Sequence, residues 1–265
     1  MLKNLLFLFI MINLLVSCSS NKKESSNVGD PFLPDDRYES WLTYTYQDIK
    51  IYYPEGHPLE NKLNEMVKIY RSIREQSCRF FRIDIPQDTL RIFFYTGFGQ
   101  GTEMTGREYP FGTTSAVHFW IPSYYGPPLI QYLLPKWQVQ EPKYKFLKHG
   151  LIAMLDFSGH NWHFVTEKSI ETGKFIPLEK LAYDTTVNSN TERDQSAEAS
   201  SFIDFIVYNY GFDMFEQLYL TDKPFDQAIS EIYGLPVDSI QTLWLQMAEK
   251  MAIIDSTKTN DTINK

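Results

Sequence analysis

Tyr144–Ser158, YKFLKHGLIAMLDFS, is apolar on nearly every side, with Phe146, Leu147, Leu151, Ile152, Met154 and Leu155 spread around its turns. A helix that is hydrophobic all round belongs inside a domain rather than on its surface. Its single imidazole, His149, therefore sits on an element expected to be buried. Gly159 supplies the stop.

Downstream of this stretch the pattern stays helical. Ala197–Tyr210 (AEASSFIDFIVYNY) ends at Gly211, Phe225–Tyr233 ends at Gly234, and Asp238 reads as the N-cap of a last helix, SIQTLWLQMAEKM. The mixed segment Asn161–Asp194 predicts no more than a short helix. Upstream the period changes. Ile49–Tyr53 (IKIYY), Leu90–Tyr95 (LRIFFY) and Val117–Ile121 (VHFWI) read as strands, while Leu59, Leu63, Met66, Val67, Tyr70 and Ile73 mark one face of a long helix over Leu59–Phe81. Between the last two strands, Gly97–Gly101 (GFGQG) has neither phosphate-loop spacing and predicts a rim loop. The expected fold is α+β: a small N-terminal mixed sheet with a long helix, over residues 31–125, and a mainly helical half over 126–255.

The ends differ from this body. Met1-Leu2-Lys3 is a short positive start, Leu5–Val16 (LLFLFIMINLLV) is an apolar run, and Leu15-Val16-Ser17-Cys18 follows at once. These residues resemble a bacterial lipobox, which implies a signal peptide over 1–17 and lipidation of Cys18, with more than one acyl chain giving stable anchoring. The polar stretch 18–30 is then a tether, and 256–265 (STKTNDTINK) an unstructured tail. With Cys18 taken by lipid, Cys78 has no partner for a disulfide; its helical context predicts a small buried side chain. Ser19 after Cys18 suggests the outer membrane under the enteric sorting rule, leaving the periplasmic or surface side open.

Composition narrows the function classes. With 43% hydrophobic and 15% aromatic residues, the chain has the apolar surface to fold. Its net charge of −8, with scattered lysines and arginines, argues against a nucleic-acid partner. No G-x-S-x-G elbow is present, so covalent hydrolase chemistry has no evident nucleophile.

The order of elements, together with Tyr210-Gly211, Ala228-Ile229, Tyr233-Gly234-Leu235, Ile240 and Trp244 in the tail, resembles the peptidase-MA-like superfamily of gluzincin zinc peptidases over about Trp41 to Glu249. In active members one central helix carries HExxH, whose two histidines bind zinc and whose glutamate activates water. The next central helix brings a glutamate as third ligand, in a Trp-Leu-x-Glu-Gly-Leu-Ala segment. The resemblance puts His149 where that glutamate would be. Seventeen residues separate Gln131 from His149, and Pro127, Pro128 and Gln131 then fall on the three functional positions of HExxH. Proline carries no ligand atom and Gln is a poor zinc ligand, so the resemblance implies an inactive domain: a pseudo-peptidase, with no cofactor, that acts by binding.

Other readings stay open on the sequence alone. His149, His160, His163 and Glu167 lie close enough in the chain to suggest a rearranged zinc site and a metallohydrolase. Trp120, Tyr124, Tyr125 and Trp137 either rim a groove or fill the core. The expected partners are the membrane, through the lipid, and an envelope protein, peptide or glycan. A purely structural envelope lipoprotein is the third possibility.

Overall fold

A computed structural model describes residues 36–120, 126–138, 140–183 and 192–263; the signal peptide, the tether, Cys18, Tyr124 and Tyr125 lie outside them. Strands β1 (Leu42–Tyr46) and β2 (Ile49–Tyr53) form an antiparallel hairpin, with Leu42 opposite Tyr53 and Tyr46 opposite Ile49. Helix α1 (Leu63–Phe81), entered through a 3-10 turn at Glu60–Lys62, then crosses to β3 (Leu90–Tyr95), which pairs parallel with β2. Parallel neighbours need such a crossover, and α1 buries Leu63, Met66, Val67, Tyr70 and Ile73 against the sheet as its 3.6-residue period requires. Cys78 is buried on the same helix.

Helix α2 (Phe98–Thr105), strand β4 (Phe111–Gly112) and strand β5 (Ala116–Trp120) complete a mixed five-stranded sheet of order β1-β2-β3-β5-β4. The expected rim loop at Gly97–Gly101 is thus corrected to a helix start. The reason is packing: a Cβ on Gly101 would stand 2.6 Å from the Trp120 ring, so the glycine marks a close approach of helix to strand rather than a break. Gln100 Oε1 accepts from the Thr96 N–H at 2.8 Å and holds the entry to that turn.

Alternation divides the sheet into two faces. Ile49, Ile51, Ile92, Phe94, Val117 and Phe119 point into the main core under α1 and the later helices. Tyr52, Phe93, Tyr95 and Trp120 point the other way, beneath Tyr38 and Trp41. Register aligns four rings across the strands on this second face: Tyr52 on Phe93 at 4.7 Å, Phe93 on His118 at 4.7 Å, and His118 on Phe111 at 4.5 Å, all nearly parallel. Each such pair contributes roughly 0.5–1.5 kcal/mol beyond area burial.

From Gly126 onward every regular element among the described residues is a helix: α3 (Gly126–Trp137), α4 (Lys145–Met154), α5 (Trp162–Glu171), α6 (Leu178–Tyr183), α7 (Glu192–Tyr210), α8 (Phe212–Leu220), α9 (Phe225–Tyr233) and α10 (Val237–Ile263). The fold is the mixed α+β arrangement expected. Gly234, at φ 71°, closes α9 in the left-handed conformation that its lack of a Cβ permits. Several boundaries differ from expectation: α1 starts at Leu63 rather than Leu59, α4 stops at Met154 short of Gly159, and α7 starts at Glu192 rather than Ala197. The segment after Asn161 holds two helices, α5 and α6. The last helix starts at Val237, so Asp238 lies in its first turn rather than at the cap. That helix also runs to Ile263, through most of the expected tail, because helical hydrogen bonding propagates cheaply once nucleated.

Candidate functional site

The cleft forms where α3 and α4 meet the edge of the sheet. Gly126, Pro127 and Pro128 open α3, where a missing N–H costs nothing, and Gln131 follows one turn later. Leu129, Ile130, Tyr132 and Leu133 on the same helix are fully buried, which fixes its rotation. Helix α4 is fixed likewise by Leu147, Leu151 and Gly150; a Cβ on Gly150 would lie 2.6 Å from the Ala199 backbone, so α4 lies directly on α7. With both rotations set, Pro127, Gln131, His149, Ile152 and Asp156 line one cavity of about 560 Å³. That volume lies within the roughly 300–1,000 Å³ typical of small-molecule sites.

The hydrogen bonding in this cavity is specific. Gln131 Oε1 accepts from the Gly112 N–H of β4 at 2.8 Å, tying α3 to the edge strand. Pro135, which also lines the cavity, has no N–H to offer the Gln131 carbonyl one turn back. Lys148 Nζ donates to both carboxylate oxygens of Glu141, at 2.6 and 2.8 Å. Asp156 Oδ1 accepts from the Ser158 N–H at 2.8 Å and from its hydroxyl at 2.6 Å, and Oδ2 stands 3.8 Å from His160 Nδ1. Tyr219 closes one wall; burial first, and the Glu141 charge second, push its phenol above the ordinary value of 10, so it stays a hydrogen-bond donor.

Of the residues predicted from sequence, Pro127, Gln131 and His149 come together here. Pro128 is buried beside them but turned away from the lining. Trp120 and Trp137 do not form a rim. Trp120 is buried on the far face of the sheet with Tyr95 and Phe111. Trp137 stacks on Phe81 and packs against Tyr219 while its Nε1–H donates to Glu216 at 3.1 Å. Trp120 is a core residue and Trp137 packs half-buried against the core, since large apolar rings are drawn inward. Gly112, Asp156, Ser196 and Tyr219 were missed. Asp156 is two turns beyond His149, a spacing that could have flagged it; the others come from distant segments.

The rearranged metal set is not assembled. His163 is buried with both ring nitrogens engaged: Nε2 to Asp204 Oδ2 at 2.8 Å and Nδ1 to Ser201 Oγ at 2.8 Å. An ionised Asp204 only accepts, so in the neutral ring Nε2 carries the proton and Nδ1 accepts from Ser201. Ser201 Oγ in turn accepts the Trp244 indole N–H at 2.8 Å. This chain has the residue types of a serine hydrolase relay, but Ser201 is fully buried, so it clamps α5, α7 and α10 together. His160 instead bonds the Ser158 hydroxyl on the loop after α4. Among the described residues, no three His, Cys, Asp or Glu side chains converge to hold a metal ion.

The zinc ligands that the resemblance would require do not fit this chain's residues. Two of the three HExxH positions are prolines, and the oxygen of Gln131 is committed to Gly112. No protein-family model matches the chain, and no curated protein is significantly similar to it.

Proposed function

We propose that this chain is a lipid-anchored cell-envelope protein whose zinc-peptidase-like domain is catalytically inactive and works by binding a partner in the α3–α4 cleft. The observation that carries this reading is the joint placement of Gln131 and His149 on one cavity wall, with Pro127 beside them. On this reading α3 and α4 stand in for the two helices of a metal cleft, and their side chains supply hydrogen bonds and apolar walls in place of ligands. The lipobox at Leu15–Cys18 supports membrane attachment, and the membrane is thus one partner.

The test is the metal content of the full chain, purified in detergent without a metal-binding tag, followed by thermal melts with added zinc and with chelator. The expected result is no stoichiometric zinc and no change in Tm from either additive. Stoichiometric zinc, with a Tm that falls on chelation, would sink the inactive-domain reading. Cys18→Ala should in parallel move the protein out of the membrane fraction.

A further inference from the structure

The two kinds of partner that could enter such a cleft, a peptide strand and a sugar chain, need different chemistry, and the edge strand separates them. A peptide that adds to a sheet draws its affinity from main-chain hydrogen bonds along an open edge. Strand β4 is only two residues long, and the Gly112 N–H is already taken by Gln131 at 2.8 Å. The next N–H, from Thr113, turns back to the Ala116 carbonyl at 2.8 Å. Helix α3 also lies hard against the strand: a Cβ on Gly112 would meet the Pro128 carbonyl at 2.0 Å and the Tyr132 nitrogen at 2.7 Å. An added strand has neither room nor donors there, so recognition falls to side chains.

Those side chains favour an uncharged ligand. The Lys148 charge is held by Glu141, and Asp156 is held by Ser158 with His160 nearby. These charges are already paired within the chain, so a charged ligand would have to compete with the existing partners. Beside His149, the rest of the polar wall is short and neutral: Gln131, Gln140, Thr114, Ser196 and Tyr219. Amides and hydroxyls of this kind match the mixed donor and acceptor pattern of vicinal sugar hydroxyls. Pro127, Leu134, Pro135 and Ile152 add apolar lining against which the C–H faces of a pyranose can pack. We infer that the α3–α4 cavity binds a neutral oligosaccharide segment of about two or three rings through side-chain amides and hydroxyls. This rests on the cleft being a binding site, as proposed above.

The experiment is calorimetric titration of the full chain in detergent with chitotriose, maltotriose and cellotriose, and with tri-alanine and trigalacturonate as peptide and anionic probes. Gln140→Ala and Tyr219→Phe are the variants; Gln140 is exposed and Tyr219→Phe keeps the ring, so both should retain the parent Tm. At least one neutral trisaccharide should bind, with affinity falling about tenfold in Gln140→Ala and about threefold in Tyr219→Phe, the loss of one or two neutral hydrogen bonds. Sugar binding unchanged in both variants would place the site elsewhere and overturn the inference. Tri-alanine or trigalacturonate bound in preference, with loss in the same variants, would overturn the sugar assignment while leaving the cleft reading intact. No binding of any probe would remove both.

Discussion

Helix α7 meets its neighbours in two opposite ways. Against α4 the contact is close, with Gly150 set directly on the Ala199 backbone and the Ser200 hydroxyl donating to the Gly150 carbonyl at 3.0 Å. Against α5 and α10 the contact is polar, through the buried His163, Ser201 and Trp244 and the half-exposed Asp204. The first contact rests mainly on shape, with one hydrogen bond beside it. The second needs every donor and acceptor matched, because an unpaired buried polar group costs more than a pair contributes. Two of the candidate histidines fall on either side of this divide: His163 is consumed by the fold, whereas His149 lines a cavity.

The comparison can be broken most directly at His163. His163→Ala removes a buried ring and leaves Ser201 without its acceptor, so a loss of about 2–4 kcal/mol is expected, read as a fall in denaturant midpoint at unchanged slope. A loss no greater than that of a surface substitution would mean that the clamp is not structural. Gly150→Ala comes next. Its gain in helix propensity is about 1 kcal/mol and is offset by overpacking against a backbone that must move, costing about 1–3 kcal/mol. A net fall in Tm is expected, and a rise would show that the α4–α7 contact is loose.

A third histidine sharpens the contrast through pH. His57 is buried, stacked on Phe94, with Nδ1 accepting from the Leu59 N–H at 3.1 Å. Burial lowers its pKa below 6.5, only partly opposed by a backbone hydrogen bond at Tyr95 and by the Glu60 charge. The unfolded chain then binds the extra proton first, so this group's contribution is present above pH 6.5 and is lost as pH falls through the depressed native value. His57→Gln should flatten the stability profile just below pH 6.5 relative to the parent; an identical acid slope in the two proteins would contradict this. The smallest effect is expected at His149. His149→Ala, at a half-buried position on the cavity wall, should cost less than His163→Ala in the sealed core, and a loss matching that of His163→Ala would erase the distinction between the two.

Much of this architecture was legible locally. Leu90–Tyr95 and Phe225–Tyr233 match their observed bounds because period and flanking breakers agree, and Gly234 stops its helix for a reason internal to the backbone. Strands β1 and β4 were not legible. The first is largely exposed along its length, so no buried face writes an alternation, and the second is two residues held by pairing to β5 alone. Gly101 was read as a loop residue because its partner, the Trp120 ring, is nineteen positions away in the chain and adjacent only in space.

The candidate site divides along the same line. Gln131 and His149 could be paired from sequence because both sit on strongly apolar helices at an interval that a known architecture uses. Gly112, Ser196 and Tyr219 could not, since they arrive from an edge strand and two later helices with no spacing to link them. The sequence by itself determined the type of most elements and the split into sheet and helical halves, both consequences of side-chain period. Tertiary structure alone decided which histidine is sealed into a buried hydrogen-bonded chain and which lines a cavity, and that α3 closes the sheet edge. Those outcomes depend on helix rotation and on distances between segments, which a linear pattern does not encode.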